Sequence, residues 1–245
     1  MDLTVVYSSP SLKQPAQEIA KLLGVDTKAS VPDLGPFITL SNDNISYSNS
    51  KTDIRPGLNI NFEKGSFGWR LARTEHEALL KKVIGKNNKS LKVLDATAGL
   101  LKDSIIMASL GHQVTACEVS KTLYAMTDYA LKLLSKKDHT WLHNLHCLNQ
   151  DVIDHKVSFD QYDLVYFDPM YPDSKKTTAR SKELSMIREI IRMEDCDKSP
   201  TQIFDYLRLS NPTKLVVKRP IRVEAFPGNI NHQITGKSIR YDVYI

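Results

Sequence analysis

The stretch LVYFDPMYP, residues 164–172, runs four apolar or aromatic residues into an acid, a proline, a tyrosine and a second proline. Asp168, Pro169 and Tyr171 together could hold a flat ring that carries an amino group. An exocyclic amine is a poor nucleophile, because its lone pair is delocalised into the ring. Two acceptors, the Asp168 side chain and a main-chain carbonyl such as that of Pro169, can take both amine hydrogens and localise the lone pair on nitrogen. Proline fixes φ and shapes the turn so that the carbonyls point inward. Tyr171 offers a face on which the ring can stack. Such a site works by positioning and placed dipoles and needs no strong base. A plain proline-rich turn after a strand is the bland reading of the same residues.

Three other strand-like runs end in residues of similar interest. In LDATAGLLKD, residues 94–103, Asp95 closes an apolar run and Gly99 sits in the turn before a helical segment. A glycine there lets a ligand approach the backbone closely. A dinucleotide turn would read G-x-G-x-x-G and seat a pyrophosphate on the helix N-terminus. Here there is one glycine, and Asp103 opens the helix. That arrangement suits a cation with an ammonium and a sulfonium better than an anion. In TACEVS, Glu118 lies nineteen residues after Gly99, where an acid can accept both hydroxyls of a ribose. This feature is common to nicotinamide and S-adenosylmethionine (SAM) sites. In LHCLNQDVID, Gln150 or Asp151 could meet an adenine edge.

These ends need a scaffold, and the periodicity supplies one. LKVLDAT, HQVTACEV, NLHCLN, YDLVYFD and KLVVKRP have the composition of buried strands. DSIIMASLG, SKTLYAMTDYALKLLSKK, SKELSMIREIIRM and SPTQIFDYLRLS have helical spacing. Alternation of the two predicts βαβ units and a mostly parallel sheet with ligands at the C-terminal strand ends. HQITG and IRYDVYI predict a closing antiparallel hairpin. Residues 1–68 predict a small N-terminal α+β unit, and 69–245 the main domain. WRLARTEHEALLKKVIG, residues 69–85, is expected to be the connecting helix. The 245 residues carry a formal charge of +5, with 41% hydrophobic and 25% charged residues, ordinary for a soluble domain able to bury a core. The three cysteines form no C-x-x-C pair, so neither a disulfide framework nor a zinc knuckle is expected. The N-terminus has no signal-peptide pattern and no run is long enough to span a membrane, so the expectation is a cytoplasmic protein.

Asp168-Pro169-Met170-Tyr171 resembles the [DNS]-P-P-[YFW] motif of methyltransferases that act on base amines. DATAGL, YFDPMYP, LVVKRP and GKSIRYDVYI, in that order, resemble the RsmJ family over roughly residues 55–245. The resemblance implies a class I SAM-methyltransferase fold, a Rossmann-like sheet with a small N-terminal extension. It implies methylation of the exocyclic amine of a guanosine near the 3′ end of 16S ribosomal RNA, with rRNA or the small subunit as partner. Carried over by position, cofactor contacts fall at Lys102 and Asp103, Glu118 and Val119, Gln150 and Asp151, and Asp168, beside Asp95 and Gly99. The family pattern D-A-T-A-G-L-G-R-D is broken here by Leu101 and Lys102, which stand where Gly and Arg are expected. Val119 replaces the Arg that usually follows the acid.

Cations near the pocket mouth are candidates for RNA phosphates. Lys218 and Arg219 end a strand, and Lys175, Lys176 and Arg180 follow the motif. Gly68-Trp69-Arg70 and Arg73 precede the core. His143, His146 and Cys147 lack a second ligand pair, so no metal is expected. Rival readings are methylation of adenine in RNA or DNA, an NAD-linked oxidoreductase that the missing glycines disfavour, and a non-catalytic RNA-binding assembly factor. Oligomeric state has no signature in the sequence.

Overall fold

In the computed structural model the described residues are 3–52, 57–85, 89–136, 138–154, 158–171 and 179–245, with the side chains of 179–182 left aside. They form two compact units. One comprises residues 1–68, 120–139 and 173–197, and the other residues 69–119, 140–172 and 198–245. The expected division at 68/69 differs from these units in where residues 120–139 and 173–197 go.

In the first unit, β1 (Thr4–Tyr7), β2 (Asp26–Lys28), β3 (Phe37–Leu40), β4 (Ile45–Ser48) and β5 (Leu58–Ile60) form a sheet in the order β2-β1-β3-β4-β5. β1 runs parallel to β2 and β3, and the remaining pairs are antiparallel. Alternating burial in β4 and β5 is the period-2 signature of a strand with one covered face. Helices α1 (Lys13–Leu23), α5 (Lys121–Leu134) and α6 (Ala179–Met193) belong to this unit. Gly24 ends α1 with φ +68, a left-handed cap that glycine takes without steric cost. Ser120 caps α5 by accepting from Leu123 N–H, the usual use of a serine at that position. Tyr129 of α5 donates to Ser41 O at 2.9 Å. Glu194, just beyond α6, accepts from Thr122 N and Thr122 Oγ1 at 2.9 and 2.6 Å.

In the second unit, β6 (Lys92–Asp95), β7 (Gln113–Glu118), β8 (Leu145–Asn149), β9 (Leu164–Phe167), β10 (Leu215–Pro220), β11 (His232–Thr235) and β12 (Ile239–Tyr244) form a sheet in the order β11-β12-β10-β9-β6-β7-β8. The pairs among β10, β9, β6, β7 and β8 are parallel, while β12 is antiparallel to β10 and β11. The expected parallel sheet and closing hairpin are both present. All four residues of β9 are buried, as a strand covered on both faces requires. The core on one face gathers Leu94, Val165, Phe167 and Val217 with Phe204 and Leu207 of α7 (Pro200–Leu209). Phe204 stacks on Phe226 with centroids 4.5 Å apart.

The chain order fixes where a ligand can enter. From β6 the chain goes out to β7 and β8, then returns to the other side of β6 as β9 and β10. The reversal opens a crevice between the C-terminal ends of β6 and β9, the topological switch point where such sheets bind ligands. Asp95 ends β6, and Asp168 follows β9.

Two local expectations change. Residues 69–85 are not one helix. They divide into α2 (Gly65–Leu71), a 3-10 turn at Thr74–His76 and α3 (Ala78–Ile84). Arg73 (φ −136, ψ 41) and Glu77 (φ −74, ψ 54) leave helical geometry. The break brings Glu77 onto Arg70, with Nε–Oε1 at 2.5 Å and Nη2–Oε2 at 2.9 Å. That fork is seven residues wide in sequence, too far for neighbours on a continuous helix face. β2 carries no strand signature in the sequence, because DTK has neither apolar alternation nor β-branched density.

Candidate active site

Four adjacent parallel strands deliver polar groups to one edge: Asp168 after β9, Asp95 at β6, Glu118 at β7, and Asn149, Gln150 and Asp151 at β8. Asp95 is 2% exposed. It accepts from Thr97 N–H at 3.2 Å and from the Ser104 hydroxyl. Burial pushes its carboxyl up to about 7, against the pull of those two hydrogen bonds and with help from the Asp103 and Asp168 charges. Folded Asp95 therefore holds a proton that the unfolded chain has released between about pH 4 and pH 7. Its contribution to stability is full at acid pH and is lost as pH rises toward 7. Asp95→Asn removes that dependence. Urea unfolding at pH 5 and pH 8 is expected to show the variant gaining on the wild type at the higher pH. Equal differences at both pH values would mean that Asp95 is ionised throughout.

The turn after β6 folds around Gly99 (φ +52) and Leu101 (φ +59). A Cβ on Gly99 would meet no atom within 4 Å, so the space beside it is open. Gly99 N–H donates to Glu118 Oε2 at 2.7 Å, which ties the first turn to the tip of β7. Glu118 is itself 7% exposed. Leu101 holds a left-handed conformation that normally costs a side chain about 1–2 kcal/mol. This is the position where the family pattern has glycine, so the departure seen in the sequence falls on a residue whose backbone favours glycine. Leu101 is tolerated because its side chain is buried, a contribution of about 1.5–3 kcal/mol. Leu101→Ala keeps the strain and loses the burial, whereas Leu101→Gly loses both. The glycine variant is expected to melt above the alanine variant, with both below wild type. The reverse order would show that the turn carries no strain.

Asp103, the second residue of α4 (Lys102–Ser109), is buried among cations. Its Oδ1 accepts from Arg70 Nη1 at 2.9 Å, and its Oδ2 accepts from Tyr166 Oη at 2.6 Å and Lys218 Nζ at 2.7 Å. Burial alone would raise this carboxyl, but Lys218 and Arg70 hold it well below the usual carboxylate range. The same Lys218 ammonium donates to Asp168 Oδ2 at 2.7 Å. Burial disfavours that ammonium, yet Asp168 and Asp103 hold its pKa above the ordinary value. Asp168 is one-third exposed, and its N–H donates to Thr97 Oγ1 at 3.1 Å. Tyr171 Oη donates to the Lys218 carbonyl at 3.1 Å. Lys218 thus holds the motif at both ends, the acid through its side chain and the aromatic ring through its main chain.

The other expected site residues take the following positions. Lys218 and Arg219 were expected at RNA phosphates. Lys218 donates to two carboxylates. Arg219 is 1% exposed, with Nη1 3.2 Å from Asp242 Oδ2. Its guanidinium carbon lies 5.7 and 5.0 Å from the Tyr171 and Phe226 ring centroids. Arg219 is withdrawn from solvent and Lys218 largely so, and deleting either cation's partner carboxylate would leave a poorly solvated charge, which is costly. Asp103 bonds Arg70, Tyr166 and Lys218, contacts that can orient the Lys218 ammonium. Asp151 accepts from Ile153 N–H at 2.9 Å and pairs with Lys198. Gln150 N–H donates to Glu118 O at 3.0 Å, and its side chain donates to Asp154 O at 2.8 Å. Lys102 opens α4 and Val119 presents exposed apolar surface just after Glu118. Lys175 and Lys176 lie outside the described residues, as does the side chain of Arg180. Tyr166, Thr97 and Ser104 were not anticipated, since nothing local marks them.

The donor set fits a cationic nucleoside. Glu118 and the open Gly99 turn suit a ribose, Val119 suits an apolar base face, and an edge rich in carboxylates suits a sulfonium and an ammonium.

The comparisons with known proteins agree with this reading. The SAM-dependent methyltransferase family model matches residues 21–245. A ribosomal RNA small subunit methyltransferase J from Alcanivorax borkumensis is 31% identical over 198 residues, 78% of this chain and 78% of that protein. The protein of the same name from Thioalkalivibrio sulfidiphilus is 28% identical over 99% of this chain and 97% of its own length. The crystal structure of a SAM-dependent methyltransferase from Neisseria gonorrhoeae shares the fold, with a TM-score of 0.72 at 20% identity, covering 99% of this chain and 95% of that one. With the switch-point site and the D-P-M-Y turn in place, the chain belongs to the SAM-dependent methyltransferase family, among the ribosomal RNA small subunit methyltransferase J proteins.

Proposed function

We propose that this methyltransferase modifies the exocyclic amine of a guanosine near the 3′ end of 16S ribosomal RNA, acting in the cytoplasm where that RNA is found. The observation that carries the reading is the clamp of Lys218 on both Asp168 and Tyr171 at the switch-point edge. SAM supplies an electrophilic methyl group when bound. The chain's own task is to present a weak nucleophile to it. Asp168 and the Pro169 carbonyl are the acceptors for the two amine hydrogens, and Tyr171 is the face for the base. Glu118 and the Gly99 turn would hold the nucleoside part of the cofactor, with Asp151, Gln150 and Val119 toward its base. Fixed dipoles in a site that need not reorganise are the main source of such rate enhancement. The methylated amine is acidic and sheds its proton to water, so no strong base is required.

The target base must leave its stack to reach the motif, which costs least in a single-stranded or junction region. Guanine over adenine rests on kinship with the small-subunit rRNA methyltransferases. Labelled SAM, offered with small subunits, large subunits, protein-free rRNA and DNA from cells lacking the protein, tests the reading. Label in the small-subunit rRNA alone supports it. Label in DNA or in large subunits alone would overturn the substrate.

A further inference from the structure

Arg219 is buried against Asp242 and Lys218 is engaged by two carboxylates, which leaves little of the grip on RNA expected at the strand end. The chain offers another beside the site. Trp69 is 62% exposed, an indole whose burial would be worth more than most side chains. The Arg73 guanidinium lies over this ring at 4.7 Å from its centroid. Arg73 is exposed, and among the described residues no carboxylate pairs with it. The neighbouring Arg70 is the opposite case. It is forked onto Glu77 and bonded to Asp103, which anchors this segment to the carboxylate that orients Lys218. An exposed aromatic face next to an unpaired guanidinium, on a segment pinned to the active site, is the recognition chemistry of single-stranded nucleic acid. Stacking takes the base, and the cation takes the phosphate.

We propose that Trp69 and Arg73 form a docking platform for an unpaired rRNA nucleotide flanking the target, with its base on the indole and its phosphate on the guanidinium. The inference rests on the rRNA methylation reading. An RNA occupant is favoured by charge: Arg73 is uncompensated, and the chain carries a formal charge of +5. A protein occupant would more commonly match this cation with an acid and bury the ring in an apolar pocket.

The test measures binding of unmethylated small subunits and of protein-free small-subunit rRNA to the wild type and to Trp69→Ala, Trp69→Phe and Arg73→Ala. SAM-induced thermal stabilisation checks that each variant is folded. Trp69→Ala is expected to weaken binding about ten-fold, and Trp69→Phe to stay within about three-fold of wild type, because any aromatic face serves. Arg73→Ala is expected to lower the salt slope by about one contact. Ultraviolet crosslinking through Trp69 should yield a nucleotide adduct. Unchanged binding by Trp69→Ala overturns the platform and leaves the methylation reading standing. A peptide adduct in place of a nucleotide also overturns it. A wild type that neither binds nor methylates rRNA overturns the functional reading, and the platform with it.

Discussion

Replacing Lys218 by methionine is expected to lower folding stability by about 3–5 kcal/mol and to abolish most methyl transfer. The side chain is 15% exposed, and its ammonium sits 2.7 Å from both Asp103 and Asp168. Methionine keeps the length and the apolar stem but leaves two carboxylates facing one another with one cation fewer. Arg70 still serves Asp103, so Asp168 carries most of the loss. The charge explanation has a specific consequence. Asp168→Asn in the Lys218→Met background removes one of the opposed charges, so the pair of changes should cost less stability than the sum of the two. A coupling of about 0.5–3 kcal/mol is the range for residues in contact. Urea unfolding of the four proteins measures it. Additive effects would mean that Lys218 acts only by filling space.

Asp168→Ala is expected to lower kcat by about 100- to 1000-fold, the usual cost of deleting one placed polar group at a reacting centre. Two effects combine there. The amine loses an acceptor, and Lys218 loses one of its two partners and shifts toward Asp103. Asparagine separates these effects, because it keeps an oxygen acceptor but gives Lys218 no charge. Asp168→Asn should therefore fall between alanine and wild type in kcat. SAM binding, followed by thermal shift, should change less than kcat in both variants. A kcat for Asp168→Ala within a few-fold of wild type would remove this residue from the chemistry.

The strand ends were legible in the sequence because each acid closes a buried strand or follows it by one residue. Asp95, Glu118 and Asp168 needed only the alternation of apolar runs and helical spacing to be placed on one edge. Gly99 was legible for the same reason, and its N–H does meet Glu118. The charge network was not. Asp103 is separated by 33 residues from Arg70, by 63 from Tyr166 and by 115 from Lys218, and no local pattern encodes such pairings. From sequence Lys218 therefore reads as a cation for RNA phosphates at a strand end, although the sheet turns it toward two carboxylates. The same holds for Arg219, whose ion-pair partner Asp242 lies diagonally across the β10–β12 ladder and 23 residues on. The helix expected at 69–85 failed at a point where periodicity is blind. Arg73–Glu77 is wholly polar, so apolar spacing carries no mark of a break there, while the Arg70–Glu77 fork requires the chain to turn. Leu101 showed itself as a departure from the family pattern, but only its φ of +59 gave the departure a physical meaning.

The most direct test is nucleoside analysis of small-subunit rRNA by mass spectrometry. The RNA would come from cells lacking this protein, and from the same cells supplied with the wild type or with Asp168→Ala. One 2-methylguanosine near the 3′ end, restored by the wild type and not by Asp168→Ala, is the expected result. Restoration of a methyladenosine, or a full 2-methylguanosine signal without the protein, would contradict it.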